Sequence, residues 1–214
     1  MQPIEPQEPA EHSEPSKARK AGGLGAIAAA LGALALKFKG IFALLLQFKG
    51  AWTFIVTLWL YILAFGWRFG VVLVFLILAH ELGHYAAFRA YGLPVRLPVF
   101  VPFLGAFTAG AQPADPEHGA YIALAGPLTG FGLAAACYAL GAAFQDRFWF
   151  ACASVGAFLN LFNMLPVQPF DGGRVIVNAR MATNGRTMIF VWYAATIVGL
   201  AAVTWQSYSV AGRQ

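Results

Sequence analysis

The sequence predicts an all-α polytopic membrane protein of about five to six transmembrane helices, with a short re-entrant β-hairpin between two of them. Three observations predict it. Hydrophobic residues make up 59% of the 214 residues and charged residues only 11%, against roughly 45–50% and about 25% in water-soluble domains. Five apolar stretches approach or exceed the roughly 20 residues that cross about 30 Å of hydrocarbon. A sixth stretch, 97–112 (LPVFVPFLGAFTAGAQ), is apolar but broken by Pro98, Pro102, Gly105 and Gly110. This balance excludes an ordinary cytosolic enzyme. It also excludes a nucleic-acid binder, because the net charge of +5 comes from Lys and Arg scattered between apolar runs.

Residues 1–22 hold four prolines, four glutamates and three basic residues, with almost nothing to bury, and read as a disordered tail. They are not a secretory signal peptide, since no basic start leads directly into a short apolar core. Residues 23–49 are rich in Ala and Leu but interrupted by Lys37 and Lys39, with Lys49 at the end. Charges at mid-bilayer are expensive, so this segment is expected to be an interfacial or partly inserted helix. A membrane domain over 50–207 follows, with spans at about 50–67, 69–90, 119–144, 148–166 and 187–206. A short tail, 208–214, ends the chain. Within 97–112, the Val and Phe content around Leu104–Gly105 suggests the hairpin. Non-helical backbone at membrane depth must be satisfied by protein or water, so this segment should pack against the helices. Cys137 and Cys152 lie in apolar runs and read as small buried hydrophobes.

Basic residues set the orientation. With the N-terminus in the cytoplasm, all but Arg68, Arg147 and Arg213 of the 14 Lys and Arg fall inside. The expectation is an integral multi-pass protein of the cell (inner) membrane.

The chemistry sits in His80-Glu81-Leu82-Gly83-His84. On a helix, positions i and i+4 share a face, so His80 and His84 can grip one metal ion. Glu81 lies close enough to take a proton from a water that a zinc ion has acidified. Three ionisable residues in five, inside an otherwise apolar span, are costly unless they serve a site. Counted from Phe69, His80 lies about 18 Å along its helix, nearer the cytoplasmic face.

A catalytic zinc site needs a third protein ligand. Asp115, Glu117 and His118 precede the third span on the correct side, and Asp171 follows the fourth, also on that side. Asp146 falls on the opposite face. Asp171 stands out in Asn163-Met164-Leu165-Pro166-Val167-Gln168-Pro169-Phe170-Asp171-Gly172-Gly173, where prolines stop a helix and glycines let the backbone turn tightly. It would have to be folded back into the membrane. Asn160 and Asn163 share one helix face. They suit either substrate or oxyanion binding or interhelical hydrogen bonding, and Asn163 is the one expected to be catalytic. Arg174 could meet lipid headgroups or the Asp171 loop.

HELGH on a membrane helix, followed some 80 residues later by N-x-x-P-x-x-P-x-D-G, resembles the site-2 protease family of intramembrane zinc metalloproteases. Asn163, Pro166, Pro169, Asp171 and Gly172 occupy the second motif's places, and Ala125-Gly126-Pro127 is similar to the family's Gly-Pro helix. The resemblance spans roughly 50–205. It implies a core of three membrane helices, with zinc held by His80, His84 and Asp171 and with Glu81 as base. It also implies hydrolysis of a peptide bond in or near a substrate's membrane segment. The family often carries a PDZ or CBS domain; this chain shows neither, so substrate selection by such a domain is not expected. The expected partners are the lipid bilayer and a single-pass membrane protein, unwound near the site, that adds a strand to the 97–112 segment; nucleic acid is not one. The rival function is a metal transporter or channel with His and Asp as transit ligands.

Overall fold

The computed structural model of the protein describes residues 49–211. The tail expected over 1–22 and nearly all of the helix expected over 23–49 lie outside the described residues.

Continuous apolar sequence with few β-branched runs gives helices almost throughout. They are α1 (Lys49–Phe65), α2 (Trp67–Ala90), α3 (Pro116–Phe144), α4 (Arg147–Asn163), α5 (Asp171–Met181) and α6 (Arg186–Ala211). Three of them, α2, α3 and α6, are long and apolar enough to cross a membrane. The expected first and fourth spans, α1 and α4, have 17 residues each, about 26 Å at 1.5 Å per residue, which is short of a full hydrocarbon core. Three helices thus have full spanning length, and α1 and α4 lie at the lower end of the roughly 17–25 residues that cross a bilayer. The last helix also runs past the expected boundary, through Ala211.

Local chemistry sets the helix ends. Asp115 caps α3, accepting from the Glu117 N–H at 2.8 Å, with Pro116 at the first helical position. Asp146 caps α4 through the Phe148 N–H at 2.9 Å. Arg68 pairs with Asp146 at 3.5 Å and stacks over Phe148. That contact puts the start of α2 and the α3–α4 turn at one end of the bundle. At the other end, Arg186 donates to the carbonyls of Ala179, Arg180 and Ala182 and closes the C-terminus of α5.

The helices pack α3 against α2, α4, α5 and α6. Ala120, Ala123, Leu124, Ala157, Val175 and Leu200 belong to the core between α3 and the last three helices. Cys137 and Cys152 are free thiols buried between helices, as expected. The 97–112 segment forms the expected hairpin, with β1 (Val99–Val101) antiparallel to β2 (Gly105–Phe107). Its turn is Pro102–Leu104, with Phe103 at φ 62°; Gly105 lies inside β2 rather than at the tip. The hairpin packs on α1. The Phe100 N–H donates to Thr53 Oγ1 at 3.1 Å, Phe54 meets Phe100 edge-on, and Tyr61 stacks on Phe103.

The fold-back after α4 is what no periodicity foretold. α4 stops at Asn163, and the Tyr193 hydroxyl donates to the Met164 carbonyl at 2.6 Å. Residues 165–170 then turn through Val167 N–H to Leu165 O and Phe170 N–H to Val167 O, with a cis Gln168–Pro169 bond. The chain re-enters a helix at Asp171 itself. Gly172 and Gly173 are thus helical residues rather than turn residues. Their missing side chains matter for proximity: a Cβ on Gly172 would run into the Met164 carbonyl, and one on Gly173 into the Val167 backbone.

Candidate metal centre

Helical spacing puts His80 and His84 one turn apart on α2, with ring centroids 4.8 Å apart. The fold-back delivers Asp171 from the N-terminus of α5 to the same point. His80 Nε2 lies 3.1 Å from His84 Nε2, and Asp171 Oδ2 lies 3.2 Å from each. All three residues are buried, none more than 8% exposed.

Hydrogen bonds behind the rings fix their chemistry. His84 Nδ1 is 2.8 Å from the Ile122 carbonyl, an acceptor only. His80 Nδ1 is 2.7 Å from Asn160 Oδ1, and Asn160 Nδ2 donates to the Gly156 carbonyl at 2.7 Å. That second bond orients the amide, so its oxygen faces His80. Both Nδ1 atoms are therefore donors, so a neutral ring at either position turns the lone pair of Nε2 inward. Two imidazole lone pairs and a carboxylate oxygen thus converge without a proton for each edge. Such a set repels itself unless a cation sits among them. Zinc bonds of about 2.0–2.1 Å in tetrahedral geometry place neighbouring ligand atoms about 3.3–3.4 Å apart, close to the observed edges. The residues fit a zinc ion with one open position.

α3 closes the back of the centre through glycines. A Cβ on Gly126 would fall within the His84 imidazole, and one on Gly130 within the Asn160 amide. Arg174, one turn into α5, reaches Asp171 Oδ1 at 3.8 Å. This is one of the two contacts open to it from sequence.

Glu81 is buried beside the centre. The Thr108 hydroxyl, one residue beyond β2, donates to Glu81 Oε2 at 2.8 Å and approaches the Glu81 carbonyl at 3.1 Å. The centre forms the polar end of a cavity of about 880 Å³. Its other walls are apolar, among them Phe69, Leu73, Ile77, Phe103, Phe158 and Phe162. Asn163 lines this cavity, half-buried, and makes no side-chain hydrogen bond among the described residues.

The remaining sequence candidates go elsewhere. His118 stacks on Tyr91 and pairs with Asp115 at 3.7 Å on the exposed first turn of α3. Glu117 stands on the same turn. These three are not in the cluster, which among the described residues is His80, His84 and Asp171. His118 is thereby removed as an alternative third ligand. Sequence reading missed Thr108 altogether and left Asn160 undecided. A threonine just past a strand carries no signal of its own, whereas an asparagine in an apolar helix does.

Comparison with known proteins points the same way. Residues 68–146 match Peptidase family M50. The chain is 34% identical over 116 residues to a Mycobacterium tuberculosis protein provisionally named zinc metalloprotease Rip3. That match covers 50% of this chain but only 29% of the relative's length. It is 31% identical over 143 residues to a Methanocaldococcus jannaschii protein provisionally named zinc metalloprotease MJ0611, covering 61% of this chain and 69% of that one. The H-E-x-x-H motif lies inside the family match, and the Methanocaldococcus jannaschii relative aligns over 69% of its own length. The chain belongs to Peptidase family M50, the site-2 protease family.

Proposed function

We propose that the chain is an intramembrane zinc endopeptidase, hydrolysing a peptide bond in or near the transmembrane segment of a membrane-protein substrate. The observation that carries this reading is the convergence of three acceptor atoms and a buried glutamate at the end of a large apolar cavity. A solvated transit site for ions would not need apolar walls of that extent, whereas an unwound apolar segment of polypeptide would fill them.

His80, His84 and Asp171 would hold the metal. A bound zinc supplies a Lewis acid that brings the pKa of water toward neutrality and polarises the scissile carbonyl. Glu81 removes a proton from the attacking water as its oxygen bonds to the carbonyl carbon. It then passes that proton to the amine as the C–N bond breaks. Asn163, which lines the cavity, binds substrate backbone or the developing oxyanion.

A helical substrate hides its peptide bonds, so it must be held extended. Alternation along the hairpin supports one edge for it. The Phe100 N–H points away from β2, toward Thr53, so Phe100 and its partner Ala106 form a non-hydrogen-bonded pair. Ala106 accordingly turns its own N–H and C=O to the outer edge of β2, and Ala106 lines the cavity. Substrate adds a strand there. Val101 and Phe103 lie in the inner strand and the turn, so a proline there would not probe this edge. Ala106→Pro is the informative variant: it should lower cleavage and leave zinc bound. The central test is Glu81→Gln, which should keep zinc and abolish cleavage of a tagged single-pass protein. Cleavage surviving at the native rate would overturn the assignment.

A further inference from the structure

The hairpin does more than offer an edge. Its legs pair at Val95 with Gly110 and at Val99 with Phe107. Between these pairs one leg holds Arg96, Leu97 and Pro98, the other only Thr108 and Ala109. The extra residue makes a β-bulge, which bends a ladder and recurs beside active sites. Pro98, with no N–H to leave unpaired, suits that leg. Thr108 stands opposite the bulge, and from there its hydroxyl reaches the Glu81 carboxylate. Among the described residues no other side chain is hydrogen-bonded to Glu81. The far end of the same hairpin is fixed to α1 through Phe100 and Phe103.

We propose that Thr108 is the positioning residue for Glu81, so that the orientation of the base depends on the seating of the hairpin. This rests on the reading of Glu81 as the base. A glutamate in an open cavity has three side-chain torsions to settle. One hydroxyl, on the residue just beyond β2 and two residues past Ala106, restrains them through Oε2. Substrate added at Ala106 presses on the leg that carries Thr108, so base and substrate are aligned by one element.

The test compares Thr108→Val, nearly isosteric but without the hydroxyl, with Thr108→Ser, which restores it. Each is made in the full chain and assayed on a tagged single-pass protein that the native enzyme cuts. Valine should lower kcat about ten- to a hundred-fold, with KM and zinc content unchanged, and serine should return kcat to near native. Cobalt(II) substituted for zinc gives a reading independent of turnover: the visible bands of Thr108→Val should move toward those of Glu81→Gln, and those of Thr108→Ser should overlay the native spectrum. If valine prevents accumulation, Thr108→Ala serves in its place. Native kcat and spectrum in the hydroxyl-free variant, beside an inactive Glu81→Gln, overturn the role of Thr108 alone. Loss of zinc in that variant also overturns it, because the residue would then be supporting the fold. An active Glu81→Gln overturns both this inference and the base assignment beneath it.

Discussion

Gly126→Ala is the sharpest probe of how the metal centre is built, because it touches no ligand chemically. The added methyl would lie within the His84 imidazole, whereas ordinary contact begins near 3.4 Å. Either the ring swings or α3 withdraws, by more than about 1 Å, against a tolerance of about 0.2 Å for metal–ligand distances. Overpacking of this size costs about 1–3 kcal/mol in a tight core, and at this position the yielding group is the ligand itself. Displacing one of three ligands should weaken zinc retention by at least the ~10–100-fold typical when an outer partner is lost. The assay is zinc per chain after dialysis against a graded chelator, with thermal transition and yield in detergent as the fold control. Gly132→Ala is the matched control. It lies on the same helix with no heavy atom within 4 Å of the new methyl, and there alanine should be neutral or stabilising by about 0.5–1 kcal/mol. Native zinc retention in Gly126→Ala would refute the cradle. Equal loss in Gly132→Ala would assign the effect to helix backbone instead.

Other outcomes follow from the same geometry. Asn160→Leu removes the acceptor of His80 Nδ1–H and should lower zinc retention about 10–100-fold while the chain still accumulates; chelator competition reads it. Asp171→Ala should lose zinc and cleavage together, and His118→Ala should lose neither. Reporters fused after Arg96 and Arg180 should read cytoplasmic and one at Gln145 external; reversal at Gln145 would break the orientation drawn from the basic residues.

The H-E-x-x-H pair was legible because helical spacing alone puts His80 and His84 together, and the fold keeps that spacing. Asp171 was legible as a ligand only through the second motif; its route back was not. Residues 171–181 carry a helix of 11 residues whose first turn is Asp-Gly-Gly, poor helix formers by propensity. Packing overrides propensity here: Gly172 and Gly173 are tolerated because nothing larger fits against Met164 and Val167. The hairpin was legible from its interrupting prolines and glycines, but its bulge was not, since unequal legs appear only once the pairs are known. Helix length was overestimated at 50–67 and 148–166 for a related reason: apolar sequence continues past Phe65 and Asn163 into segments that a glycine at φ 82° and a capped turn take out of the helix.

The centre and its partners form one arrangement rather than four separate contacts. Deep among apolar helices, a ligand cannot rely on water to hold its orientation, so each polar group needs a protein partner of its own. His80 has Asn160 from α4, His84 has the Ile122 carbonyl from α3, Asp171 has Arg174 from its own helix, and Glu81 has Thr108 from the hairpin. Three of these partners come from elements other than that of the residue they hold. The centre therefore reports on the packing of α2 against α3, α4 and the hairpin at once. A change that shifts one of those contacts should be felt at its own ligand first. Asn160→Leu and Gly126→Ala should consequently act on zinc retention, and Thr108→Val on turnover with zinc in place. That separation is the signature of a site whose ligands and base are positioned by different parts of the fold.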